Sequence, residues 1–164
     1  MKAPHFSKQS FTTALSAMAG EPESQLSVQR PGDPIAGSAD NFTGGVLVES
    51  SFAAEAPGRA SGAMVHFDGG ARTAWHTHPL GQSLIVTAGC GWVQSEGREV
   101  QTVRPGDVVW IPPDVRHWHG GSATTAMSHL AVVESLDGSR VTWMEHVSDE
   151  QYLQGESASP ACDA

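Results

Sequence analysis

His76-Thr77-His78-Pro79-Leu80-Gly81-Gln82, answered by His117 beyond Pro112, is the stretch that decides how this chain reads. Alternate side chains of a β-strand share a face, so His76 and His78 project into one interior. Gln82 has the same parity, although Pro79 and Gly81 interrupt strict extension. Three imidazoles and one amide can then converge on a single ion. Neutral imidazole is the commonest metal ligand, and an adjacent oxygen donor favours one first-row divalent ion, Mn, Fe, Ni or Zn, over a thiolate-seeking one.

Short β-rich runs lie on either side: Gly45-Val46-Leu47-Val48-Glu49, Ala63-Met64-Val65-His66-Phe67, Ser83-Leu84-Ile85-Val86-Thr87-Ala88, Gly91-Trp92-Val93-Gln94, Val108-Val109-Trp110-Ile111 and His129-Leu130-Ala131-Val132-Val133. Asp68-Gly69-Gly70, Ala88-Gly89, Arg104-Pro105-Gly106-Asp107 and Pro112-Pro113-Asp114 punctuate them. Even spacing of short strands and turns predicts an all-β antiparallel sandwich or barrel rather than βαβ units. Ser148-Asp149-Glu150-Gln151 fits a capping box, predicting a short C-terminal helix. Residues 1–40 mix Ser, Gly, Pro, Gln and Glu without an apolar period and read as an arm, mobile or docked on a neighbour. The domain is expected over 41–153 and a disordered tail over 154–164.

One domain suits 164 residues. Nine basic residues against eighteen acidic ones give a net charge of −9, with no basic run, which argues against nucleic acid or an anionic membrane as partner. No apolar run approaches the ~18–20 residues of a membrane span. Two cysteines imply no disulfide framework; Cys90, between Gly89 and Gly91, reads as a small core residue, and Cys162 lies in the tail. Lys2, Lys8 and an Ala17-x-Ala19 pattern have the outline of a signal peptide, but the intervening segment is polar. The cytoplasm is therefore the expected compartment, with export the alternative.

Gly70, five residues, His76-x-His78, three residues, Gln82, six residues and Gly89 match the first motif of the cupins. Gly106, five residues, Pro112 and then His117 match the second. The chain therefore resembles the cupins, which implies a double-stranded β-helix, or jelly-roll barrel. Three positions depart from the family pattern: Gln82 replaces the usual glutamate, Asp114 a glycine and Gly121 an asparagine. The longer text from Gly70 to Gln82, with Pro105-Gly106-Asp107-Val108-Val109-Trp110 and His117-Trp118-His119-Gly120, is similar to small bacterial cupins with manganese-dependent hydroxynitrile lyase activity. That resemblance covers residues ~60–152. It implies Mn²⁺ held by His76, His78, Gln82 and His117.

Glutamine in place of glutamate has an electrostatic consequence of its own. Three neutral imidazoles and an amide leave the full +2 charge of a divalent ion uncompensated. In a water-poor barrel that charge makes a bound alcohol more acidic and holds anions better. A cyanohydrin would lose its hydroxyl proton to a base and collapse to aldehyde and cyanide. His119 shares the parity of His117 and is the first candidate base; His129 is the second. If His129 faces inward, so do Met127, Ala131 and Val133; otherwise Leu130 and Val132 do. Ala63, Val65, Met127 and Val133 are the expected substrate-pocket residues.

Other residues read as structural. His66 is opposite in parity to Val65 and Phe67 and is left outside the site, and His146 and His5 carry no spacing signal. Trp75 and Trp118 alternate away from the ligand histidines and so project outward, where a subunit partner would cover them; a homodimer or homotetramer is expected. Ser83 and Ser128 lack a nucleophile-elbow motif. The leading function is a metal-dependent lyase of aromatic cyanohydrins such as mandelonitrile. The alternatives are a dioxygenase or alkene-cleaving oxidase, and a non-catalytic cupin that binds a small molecule.

Overall fold

The computed structural model describes residues 26–158 and Cys162; the signal-like pattern and His5 lie outside the described residues. The first eight strands are β1 (Ile35–Ala36), β2 (Phe42–Thr43), β3 (Val46–Ala53), β4 (Ala60–Phe67), β5 (Arg72–Thr73), β6 (His76–Thr77), β7 (Gln82–Gly89) and β8 (Gly91–Ser95). They are followed by β9 (Gln101–Val103), β10 (Val108–Ile111), β11 (His117–Gly121), β12 (Met127–Glu134) and β13 (Thr142–Trp143). Two antiparallel sheets face each other. One has the order β1-β3-β4-β12-β7-β10; the other runs β13-β6-β11-β5-β2, with β8 joining β11 to β9. This is the expected jelly roll.

Period-two burial sets which side chains enter the barrel. On β7, Gln82, Leu84 and Val86 are buried while Ser83 and Ile85 are half-exposed. On β12, Met127 and His129 are buried, which settles the orientation left open above: His129 points in. The pairing of β12 with β7 shifts register between Ser128 and His129. Val46, Val65, Phe67, Ala71, Val86, Val93, Val103 and Met127 form the apolar core between the sheets. At the β7–β8 turn Gly89 has φ +73°, and a Cβ there would sit 1.9 Å from the Ala126 carbonyl oxygen, so only glycine fits.

A second cluster lies outside the barrel and corrects one expectation. Trp75 and Trp118 do project outward, but Trp92, Val100, Val147 and Tyr152 of the same chain cover them. Val147 and Tyr152 belong to the C-terminal segment, which continues through α1 (Asp149–Tyr152) and α2 (Gln154–Ala158). Ser148 caps α1 with the reciprocal box: its hydroxyl accepts from the Gln151 amide and the Gln151 side chain accepts from the Ser148 amide. Tyr152 donates to the Gly121 carbonyl at 2.8 Å beneath the Arg72 guanidinium, and a Cβ on Gly155 would press to 2.6 Å from Trp92. The chain beyond 153, expected as a disordered tail, is thus helical to Ala158.

Two further findings differ from the sequence reading. Cys90 and Cys162 form a disulfide across 72 residues, with Cα atoms 5.6 Å apart. The end of the expected N-terminal arm lies along the outer edge of β3. Ile35 pairs with Val48, the Gly32 amide donates to the Ser50 carbonyl, and the Gln29 carboxamide exchanges two hydrogen bonds, 2.8 and 2.7 Å, with the backbone of Ala53. Among the described residues no helix is long and apolar enough to cross a membrane.

Candidate metal centre

His76 and His117 are direct cross-strand partners on β6 and β11, which brings their ring centroids to 4.1 Å. His78 follows the end of β6, its ring 5.1 Å from His76. Gln82 reaches the cluster from the opposite sheet, because the chain turns through Pro79-Leu80-Gly81 before entering β7. The shared parity of His76 and Gln82 is therefore not the cause of their meeting; the turn is. Asp114, placed where the family carries glycine, adopts φ +59° and donates its amide to the His78 carbonyl at 2.9 Å. Aspartate is among the few residues besides glycine that tolerate the left-handed region, so the loop keeps its shape.

The three rings share one tautomer. Nδ1 of His76 faces the Ala74 carbonyl at 3.0 Å, Nδ1 of His78 the Arg140 carbonyl at 2.6 Å, and Nδ1 of His117 the Val115 carbonyl at 2.8 Å. A carbonyl only accepts, so each Nδ1 carries the proton and each Nε2 is a bare lone pair. Nε2 of His78 is buried without a partner. Nε2 of His117 faces the Gln82 Oε1 at 3.1 Å, two acceptors opposed. A half-turn of the amide or a cation shared between the two atoms relieves that arrangement. Bare, oriented, buried nitrogens are what a metal needs, so the donor set fits a divalent ion.

His119 lies beside this group on β11. Its backbone amide donates to the Thr73 hydroxyl at 3.2 Å, and its Nδ1 lies 3.1 Å from Nε2 of His129. The ligand nitrogens of His76, His117 and His119 all fall within 4.8 Å of one another, so these three histidines could hold a metal ion by themselves. Burial keeps the whole cluster uncharged: desolvation first, then repulsion between neighbouring rings, holds His76 and His119 well below the ordinary histidine range. Desolvation pushes His117 down to about 4 and His129 to about 3, and lowers His78. Ligands that stay neutral do not lose a metal to protons near neutral pH.

A cavity of about 570 Å³ opens onto the cluster, with His76, His78, Gln82 and His119 among its lining. Ala63, Val65 and Val133 are also in its lining. Met127 does not; it is buried in the core beneath. His129 is fully buried behind His119 and is not in the lining either, so it touches the cavity only by way of His119. The sequence reading missed Gln29, Arg30, Arg140 and Trp143, which also line the cavity. His66 stays outside, bonded to Ser128 on the outer face at 2.9 Å, and His146 is exposed.

Residues 63–133 match the model of the cupin domain. The chain is 57% identical over 129 residues, covering 77% of its own length and 98% of the relative's, to a protein of Granulicella tundricola named (R)-mandelonitrile lyase. A cupin-like protein of Thermotoga maritima superposes with a TM-score of 0.69 at 36% identity, over 76% of this chain and 92% of that one. The polyketide cyclase RemF of Streptomyces resistomycificus, 16% identical with a TM-score of 0.57 over 83% and 99% of the two chains, shares the fold alone. The motifs, the barrel and the near-full-length identity agree: this chain belongs to the cupins, in the group that includes the Granulicella protein.

Proposed function

We propose that this protein is a metal-dependent hydroxynitrile lyase that cleaves and forms aromatic cyanohydrins such as mandelonitrile. The observation that carries the reading is the 57% identity spanning 98% of a protein named for that activity. The bare Nε2 atoms of His76, His78 and His117 with the Gln82 amide would hold one divalent ion, Mn²⁺ by the resemblance to the manganese-dependent cupins, with Fe²⁺, Ni²⁺ or Zn²⁺ as alternatives that such a donor set also accepts. When bound, that ion supplies a Lewis acid that stabilises negative charge developing on substrate oxygen and on cyanide.

His119 serves as the catalytic base at Nε2, a buried atom without a partner that faces the ligand group. It accepts the cyanohydrin hydroxyl proton; the carbon–cyanide bond breaks, its electron pair leaves on cyanide, and the proton returns to give hydrogen cyanide beside the aldehyde. His129 is a positioning residue. Its Nε2 accepts from the Nδ1 proton of His119, which leaves Nε2 of His119 bare and steadies the imidazolium as it forms.

Release of benzaldehyde and cyanide from mandelonitrile by metal-loaded and chelated protein tests the reading. No metal-dependent rate above buffer refutes it, and stoichiometric oxygen uptake with phenolic or styrene-like substrates would support the oxidase alternative instead. His119→Ala should lower kcat by about 10²–10⁴ while metal content is kept. Loss of metal from that variant would make His119 a ligand.

The assembly proposed is a homodimer or homotetramer, now through a different face from Trp75 and Trp118. Cross-strand register lines up Val108, Ile85, Leu130 and Met64 in one outer row, and Trp110 and Val132 in the next. Val108 and Trp110 are 66% and 58% exposed, which supports burial of this face against a second copy. The disulfide favours the exported alternative over the cytoplasm, because such bonds persist in oxidising compartments.

A further inference from the structure

The charge lining the cavity is opposite to that of the molecule. The chain has eighteen acidic and nine basic residues, yet among the described residues no Asp or Glu lines the cavity, whereas Arg30 and Arg140 do. Neither arginine forms an ion pair among the described residues, unlike Arg59 with Glu134, Arg72 with Asp149 and Arg116 with Glu96 and Glu145. Arg140 is built into the site at both ends. Its carbonyl holds the His78 ring, and its guanidinium reaches the Ser61 hydroxyl of β4 at 3.2 Å. Arg30 comes from the segment that Gln29 fastens to the edge of β3.

Phe42, Val48, Phe52 and Val65 give the same cavity an apolar wall beside the hydroxyls of Ser50, Ser51, Ser61 and Thr73. A planar, hydrophobic body suits such a wall. Guanidinium is matched to carboxylate by charge and by its planar array of donors. We propose that the cavity takes aromatic substrates bearing a carboxylate, which Arg140 and Arg30 hold while the reactive carbon at the other end of the ring meets the histidine cluster. The inference names a substrate class for the lyase reading and rests on that reading for which end reacts.

The probes are 4-formylbenzoate, with its carboxylate across the ring from the aldehyde, and its uncharged methyl ester. Calorimetry on the metal-loaded protein should show the carboxylate binding about tenfold or more tightly than the ester, a preference that added salt weakens. The Arg30→Gln/Arg140→Gln double variant should reduce the preference to within about twofold, while Arg59→Gln keeps it. Equal affinities in the native protein, or an unchanged preference in the double variant, overturn the proposal. So does a preference that vanishes on chelation, since the carboxylate would then sit on the ion. If the double variant does not fold, salt dependence in the native protein decides: equal weakening of both ligands, or of neither, overturns the proposal. Mandelonitrile turnover separates the two readings. Turnover without carboxylate preference refutes only the arginine-lined mouth, whereas preference without turnover supports it and refutes the lyase.

Discussion

Acidifying the chelated protein from pH 7 to pH 5 should remove about 4 kcal/mol of folding stability through two buried rings alone. His117 is pushed down to about 4 and His129 to about 3, against 6.5 for an unfolded histidine. Below pH 6.5 the unfolded chain binds protons that the folded chain refuses, so stability present above 6.5 is lost as pH falls, until each folded ring protonates. At pH 5 both remain neutral in the fold. The loss per ring is then set by the 1.5-unit gap to 6.5 and, at about 1.4 kcal/mol per unit, comes to about 2 kcal/mol. His76 and His119, also held well below the ordinary range, act in the same direction. Against a typical domain stability of about 5–15 kcal/mol this is a large fraction. Urea midpoints by tryptophan fluorescence at the two pH values measure it, and His129→Leu should shed about 2 kcal/mol of the loss. A stability that is flat from pH 7 to 5, or a His129→Leu protein with the full native loss, refutes the account of a neutral cluster.

Three other outcomes are expected. Cys162→Ser, or reduction of the native protein, should cost about 2–4 kcal/mol, because the bond closes a loop spanning 72 residues, and the unreduced, denatured protein should show no free thiol. Gly89→Ala should destabilise by more than about 3 kcal/mol or prevent soluble expression, as measured by chemical denaturation, since the new Cβ meets backbone at a positive φ. Trp110→Lys should shift light-scattering mass towards the monomer while leaving the circular dichroism of the fold unchanged; an unchanged mass would move the interface elsewhere.

The barrel and the cluster were legible because their cause is local. Glycine spacing fixes the turns, and strand parity carries His119 inward alongside His117. The reciprocal cap at Ser148 was legible for the same reason, its partners being three residues apart. What the sequence concealed depends on distant partners. Nothing near Cys90 announces Cys162, and nothing near Gln29 announces the backbone of Ala53. Trp75 and Trp118 were correctly placed outside the barrel, but outward parity does not say whether a second subunit or the chain's own C-terminus supplies the cover. His129 showed both possibilities on paper, and only its burial beside Phe67 and His119 chose between them. Arg30 and Arg140 carry no spacing signal, because a mouth is assembled from segments far apart in the chain.

The segment bearing Arg30 is joined to the barrel through one carboxamide and a short edge pairing, without a side chain in either apolar cluster. Under the proposal above, the carboxylate contact made by Arg30 is thereby separated from the residues that hold the fold together, whereas Arg140 also orients His78. Substitution of Arg30 would then retune what the protein accepts without disturbing the histidines or the core. The same chemistry could thus be redirected among relatives by exchanging a few exposed residues at the sheet's edge.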